Sequence, residues 1–421
     1  MVFWSTNQPI NCSAMNRVVI TGRGVYSCLG KNVAEATESL KAGRSGIIFD
    51  PIRKEMGFRS ALVGNVELPD LKKEVGRKDR KAMPEQAMYA FVSTKEALEN
   101  AGMSQDFIDE NEVGILFGND STAGAVIEGV DLLRAKKDTT LIGSGNIFQS
   151  MNSTVTMNLS TIFRLKGVNF TISAACASGS HSIGMGYLLI KMGLQKQVVC
   201  GGAQEVNPYA FGSFDGIGTF STQEDEPSKA SKPFDKNRDG LVPSGGGATV
   251  ILESLESAQA RGANILAEVV GYGFSSNGEH ISNPNKDGQV RALNMAMEMG
   301  GVKPSEVDYI NAHATSTPVG DGFEAQAIHH VFGDNGPLVS STKSMTGHEC
   351  WMAGASELVY CLAMMENGFV APNINFKEAD EHSEKLNIPN KRVEKELNTI
   401  VSNSFGFGGT NSTLIIRKFA H

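Results

Sequence analysis

The stretch Thr171–Gly193, TISAACASGSHSIGMGYLLIKMG, limits the architecture more than any other part of the chain. A short apolar strand, Val168 to Ile172, runs into small residues with Cys176 at the turn. The following residues, Ala177 to Gly184, have no polar face, which suits a helix buried on all sides and packed closely. Such a helix needs other layers around it. A cysteine at a helix N-terminus meets unpaired backbone N–H groups and the positive end of the dipole. Both favour the thiolate, so a nucleophile is one reading of Cys176. An inert buried cysteine is the other.

The remaining sequence supplies those layers. Strands are expected at 17–25, 113–117, 197–201 and 247–253, with helices at 33–42 and 84–100. From about Asn264 the pattern restarts: strands at 265–270, 307–312, 338–341, 398–403 and 412–417, helices at 288–299, 322–332 and 352–367. Strand–helix alternation in two similar halves predicts α/β layers with largely parallel sheets. The region 119–160 reads as polar and glycine-containing, and 207–240 as loop-rich. Residues 1–14 differ in character, lack the basic start and long apolar core of a signal peptide, and are expected to be an extension.

Composition excludes several classes. A net charge of −8 argues against general nucleic-acid binding. No apolar run approaches the ~20 residues of a membrane span. Six scattered cysteines without CxxC spacing indicate neither a zinc site nor a disulfide framework. A reducing cytoplasm fits best. Gly22 and Gly24 hint at a dinucleotide fingerprint, but Ser27 takes the third glycine position. Asp235, Asn237 and Asp239 open like a calcium loop, which fails at Gly246 where the bidentate glutamate belongs. The segment 72–81, KKEVGRKDRK, is either a solvated charged surface or a docking patch for an acidic partner.

Three further motifs place polar residues at expected strand ends, where open α/β sheets hold ligands. They are Asn311-Ala-His313-Ala-Thr315-Ser-Thr317-Pro-Val-Gly-Asp321, Ser341-Thr-Lys343-Ser-Met-Thr-Gly-His348-Glu349, and Asn403-Ser-Phe405-Gly-Phe407-Gly-Gly409-Thr-Asn411. One such histidine is more often structural than catalytic. Two histidines, a lysine and a cysteine at three strand ends are hard to explain as packing.

With AACASG, HATSTPVGD, KSMTGH and NSFGFGGTN in this order, the chain resembles the β-ketoacyl-acyl carrier protein synthases of bacterial fatty acid synthesis, types I and II. The match spans about Asn16 to Lys418. The resemblance implies a thiolase-like, five-layered αβαβα sandwich of two duplicated halves, 15–266 and 267–421. It implies an acyltransferase performing decarboxylative Claisen condensation in fatty acid elongation. Cys176 matches the nucleophile, and His313 and His348 the pair that binds the malonyl thioester carbonyl. The N–H groups of Cys176 and Phe407 match the oxyanion hole, with Phe407 also the gate. Lys343 and Glu324 match a lysine and glutamate expected to form an ion pair that positions the loops. Thr315 and Thr317 match pantetheine-binding threonines, and Arg77, Lys78 and Lys81 the carrier-docking cations. Asn311, Glu357, Ser402 and Asn403 fall where some members hold a monovalent cation; a buried polar network is the competing reading. No cofactor beyond the 4′-phosphopantetheine of acyl carrier protein is implied, nor any nucleic-acid or membrane partner; a cytoplasmic homodimer, with 119–160 contributing across its interface, is.

The chain departs from the family at Glu349-Cys350-Trp351-Met352, where small residues and glycine are usual, and at Ala314 in place of glycine. These put substrate range in doubt and leave room for a specialised polyketide or polyene pathway. A degradative thiolase lacks support because the last glycine-rich loop has no second cysteine. A catalytically silent chain-length factor would have lost Cys176. A Cys–His hydrolase would need an orienting carboxylate or amide motif.

Overall fold

Ten segments rich in Val, Ile and Gly pair into one continuous sheet in the computed structural model, which describes residues 15–420. The expected extension, 1–14, lies outside the described residues. The strands are β1 (Val18–Ser27), β2 (Gly114–Gly118), β3 (Asn169–Ile172), β4 (Gln197–Gln204) and β5 (Gly246–Ser254), then β6 (Ala267–Ser276), β7 (Tyr309–Asn311), β8 (Leu338–Ser340), β9 (Thr399–Gly406) and β10 (Thr410–Arg417). Their order is β8-β7-β9-β10-β6-β1-β5-β4-β2-β3. Each half therefore follows one scheme: the second strand pairs with the third and fourth, and the fifth lies between the fourth and first. Within the sheet, the halves join where Val18–Ile20 of β1 runs antiparallel to Ala267–Val269 of β6.

Each half is mixed, not largely parallel. In the first, β2 is parallel to β3 and β4, whereas β5 is antiparallel to β4 and β1. The second repeats this with β7 parallel to β8 and β9, and β10 antiparallel to β9 and β6. The reason is clearest at β9–β10: three residues connect them, enough for a hairpin and too few for a crossover helix.

The longer helices are α1 (Val33–Ala42), α2 (Glu85–Asn100), α3 (Ala123–Lys136), α4 (Thr154–Phe163), α5 (Ser178–Lys191), α6 (Pro208–Gly216), α7 (Lys286–Gly300), α8 (Pro318–Phe332) and α9 (Ala353–Asn367). Helix α2 covers β1 and β5 on one outer face, and α7 covers β6 and β10 on the other. Helices α5 and α9 pack on each other and on strands of both halves, forming the middle layer. Every residue of α9 from Ala353 to Met365 is buried. The small residues explain how the middle layer fits: a Cβ on Gly354 would lie 2.6 Å from Ser180, and one on Gly179 would lie 3.0 Å from the Trp351 carbonyl. Helices α3, α4 and α6 occupy regions that read as polar or loop-rich.

Candidate active site

Cys176 sits in the turn between β3 and α5, and its chain entry is strained. Ala175 has φ +46°, a left-handed conformation costing a non-glycine residue about 1 kcal/mol or more. Three hydrogen bonds hold it: Asp120 Oδ2 accepts the Ala175 N–H at 3.1 Å, Ser178 Oγ accepts the Ala174 N–H at 2.8 Å, and the Ser178 hydroxyl donates to Ala175 O at 2.6 Å. The turn aims the sulfur into a cavity of about 830 Å³, lined also by His313, His348, Thr315, Thr317, Phe405 and Phe407. The Phe407 N–H points at the sulfur and Lys343 lends positive charge, yet burial outweighs both and pushes the thiol up to about 12. The thiolate expected from the helix N-terminus alone thus gives way to a neutral thiol, because Cys176 is almost fully enclosed.

His313 follows β7 and His348 follows β8. Their rings meet edge to face, centroids 5.3 Å apart and planes at 86°. Glu324 of α8 fixes the His313 loop by accepting the N–H groups of His313 at 2.9 Å and Ala314 at 2.6 Å, with Asn403 Nδ2 at 3.2 Å. The His348 main chain is tied to the first half, its N–H donating to Val242 O and its carbonyl accepting from Ser244. Nδ1 of each ring is buried without a partner, which leaves Nε2 as the nitrogen that can reach a substrate. Burial first, then the charge on Lys343, hold both imidazoles well below their ordinary range. Both are neutral at physiological pH.

Lys343 and Glu324 do not form the expected ion pair. Lys343 Nζ pairs with Glu357, both side chains being 1% exposed. Glu357 lies one turn inside α9, beside the helical turn Lys343–Thr346, whereas Glu324 is committed to backbone N–H groups. Burial pushes Glu324 and Glu357 each up to about 7, opposed in Glu357 by Lys343. The four residues considered for a cation have separate partners. Asn403 Oδ1 accepts from Thr413 Oγ1 at 2.9 Å, and Asn311 Oδ1 accepts the Thr342 N–H at 3.5 Å. Ser402 pairs with Asn311 in the sheet, and Glu357 holds Lys343. Glu357 Oε2 and Asn311 Nδ2 are buried without a hydrogen-bond partner among the described residues.

Phe407 is 41% exposed, followed by Gly408 and Gly409 at φ +77° and +72°, which let the hairpin pass close to Cys176. Its ring stacks on Phe214 of α6 at 6.1 Å, and Phe214 stacks on Phe220 at 6.4 Å. Trp351 leans on Phe214 at 6.2 Å and donates its indole N–H to Ser121 Oγ at 3.2 Å. Phe211, Phe220, Leu241, Cys350 and Trp351 share one buried apolar cluster with Cys176. Sequence reasoning did not bring the α6 aromatics to the site; the phenylalanines at 211 and 214 were a one-face helical signal inside a glycine-rich stretch.

At the cavity mouth Thr315 and Thr317 bond hydroxyl to hydroxyl at 3.1 Å, and Asp321 accepts the N–H groups of Ser316 and Thr317, each at 3.1 Å. Arg77, Lys78 and Lys81 lie elsewhere, exposed on and beside the short helix Arg77–Arg80. They line a surface groove with Ser144, Phe148 and Thr161, and among the described residues none of the three cations has an acidic partner.

Comparison with known proteins agrees with this geometry. Sequence profiles described as the N-terminal and C-terminal domains of beta-ketoacyl synthase match residues 15–258 and 266–377. The chain is 44% identical over 407 residues to the 3-oxoacyl-[acyl-carrier-protein] synthase 1 of Escherichia coli K12, covering 96% of this chain and 99% of that one. A crystal structure of a beta-ketoacyl synthase from Burkholderia phymatum superposes with a TM-score of 0.92 at 35% identity, covering 96% of this chain and all of that one. A type II polyketide ketosynthase, solved in complex with its acyl-carrier protein, superposes with a TM-score of 0.86 at 30% identity, covering 96% of this chain and all of that one. The chain belongs to the β-ketoacyl synthase family.

Proposed function

We propose that this chain is a β-ketoacyl-acyl carrier protein synthase that elongates acyl groups by decarboxylative Claisen condensation. The observation that carries the reading is one cavity lined by a buried cysteine and two imidazoles whose Nδ1 atoms are buried away from it. In the first half-reaction the Cys176 sulfur attacks the acyl thioester carbonyl. A C–S bond forms, the carrier's pantetheine thiolate leaves, and the thiol proton passes to it through a neutral imidazole. The N–H groups of Cys176 and Phe407 stabilise the oxyanion.

In the second half-reaction His313 and His348 donate hydrogen bonds to the malonyl thioester carbonyl. Their neutrality suits this role, because a neutral Nε2–H donates without a proton having to be acquired first. The carboxylate leaves as carbon dioxide, and the electron pair of the broken C–C bond develops as an enolate under those donors. Its carbon attacks the Cys176 thioester, a new C–C bond forms as the C–S bond breaks, and the cysteine leaves as a thiolate that takes up one proton from solvent to regenerate the thiol. Lys343, Glu357 and Glu324 position the two histidine loops. Thr315 and Thr317 hold the pantetheine arm, and Arg77, Lys78 and Lys81 dock an acidic carrier protein, supported by the carrier complex of the polyketide relative. The chain needs no cofactor beyond the carrier's phosphopantetheine. It works as a homodimer in the cytoplasm; among the described residues no helix is long and apolar enough to cross a membrane.

The test is product analysis. Acyl carrier thioester and malonyl carrier thioester together should give the β-ketoacyl carrier product and one carbon dioxide per turnover. Free fatty acid without a new C–C bond would make the protein a hydrolase and overturn the reading.

A further inference from the structure

We infer that Trp351 is the back wall of the acyl subsite and sets the longest acyl group that Cys176 accepts; this rests on the synthase reading above. An acyl chain on the sulfur has two ways to lie. In one direction stand Thr315 and Thr317, where the reading above places the pantetheine arm, with the exposed side chains of Ile217, Ile281 and Val319 around them. In the other direction lies the buried apolar cluster, where an apolar tail would leave water. The cavity opens onto Phe214, Leu241 and Phe407, while Trp351, Cys350 and Phe211 close the cluster behind them without lining the open volume.

Trp351 is the largest of these side chains and the least able to retreat. Its indole N–H is tethered to Ser121, whose neighbour Asp120 holds the Cys176 turn. Its main chain is wedged against α5 and β4: a Cβ on Gly179 would meet the Trp351 carbonyl at 3.0 Å, and one on Gly202 would meet it at 2.8 Å. Phe407, by contrast, is 41% exposed, with its ring stacked on Phe214 at the surface of the cavity. A long chain can push the gate aside, but it cannot displace a wall locked at both its backbone and its ring. The wild-type protein should therefore load short acyl groups and reject long ones.

The experiment uses the full chain with butyryl-, octanoyl- and dodecanoyl-acyl carrier protein, following acylation of Cys176 by intact mass and condensation with malonyl carrier. Wild type should load butyryl much faster than dodecanoyl. Trp351→Ala should raise the dodecanoyl-to-butyryl ratio by about tenfold or more, the worth of a few methylenes of pocket. Trp351→Phe should lie between, and Ser121→Ala, which frees the indole, should move in the same direction. These two milder variants carry the test if Trp351→Ala does not fold. Indole emission, read against Trp351→Phe with Trp4 as common background, should shift on butyrylation of wild type. Equal loading of all three chains by wild type, or an unchanged ratio in folded variants, would overturn the inference. Failure of the underlying synthase reading looks different: no adduct on Cys176 with any chain.

Discussion

Glu349 offers the sharpest test of the buried electrostatics around His348. Its carboxylate is 1% exposed, accepts hydroxyls from Ser356 at 2.5 Å and Tyr360 at 3.0 Å, and forms no ion pair among the described residues. Burial pushes it from 4.5 up to about 7, against the pull of those hydroxyls and of Lys343. Between these values the folded protein holds a proton that the unfolded chain has lost, so this group's contribution is full below pH 4.5 and is lost as pH rises through about 7. At 1.36 kcal/mol per pKa unit the full loss is about 3 kcal/mol, of which about 2.5 kcal/mol falls between about pH 5 and about pH 8.5. Glu349→Gln keeps the shape and the hydroxyl contacts but cannot ionise. It should match wild type at the acidic end and exceed it at the alkaline end. With an unfolding entropy of about 2.1 cal/mol/K per residue, the alkaline advantage is about 3 °C in melting midpoint. Glu324 and Glu357 shift in the same direction but are common to both proteins and cancel. Calorimetry of the two proteins at both pH values decides it; a constant difference across pH would refute the reasoning.

Other outcomes follow from the same geometry. His313→Ala should stop carbon dioxide release from malonyl carrier while leaving acyl transfer to Cys176 largely intact, measured by isotope release and adduct mass; loss of both steps would contradict the assigned role. Lys343→Met should destabilise the fold by about 3 kcal/mol or more by leaving the Glu357 carboxylate buried without its cation, and Lys343→Met with Glu357→Gln should recover much of it in chemical denaturation. Reversing Arg77, Lys78 and Lys81 to Glu should raise KM for carrier substrates and reduce its salt dependence, with little effect on pantetheine thioesters free of carrier.

The strands were legible because Val and Ile runs ending in glycine or polar loops recur, and the four motif loops fall where the sheet places its C-terminal strand ends. The Cys176 turn and the small-residue helix read correctly as a close-packed middle layer. Helices α3, α4 and α6 were hidden because Gly, Ser, Thr and Asn dilute their periodicity, and packing against the sheet and one another overrides weak propensity. The partner of Lys343 was not legible: Glu324 and Glu357 both follow it or precede it by similar distances, and only the packing of α9 decides between them. The state of Cys176 depended on a balance of burial against dipole and charge that spacing alone does not fix. The hydrogen bonds that Asn311 Oδ1 and Asn403 Oδ1 accept from Thr342 and Thr413 were not legible either, because those partners come from other loops and strands.

The most direct measurement of the central claim is intact-protein mass spectrometry of the chain with butyryl carrier, followed by malonyl carrier. The account predicts a butyryl adduct mapping to Cys176, absent in Cys176→Ala, that malonyl carrier discharges as a β-ketoacyl product with release of carbon dioxide. Discharge by water alone, or an adduct on another residue, would contradict it.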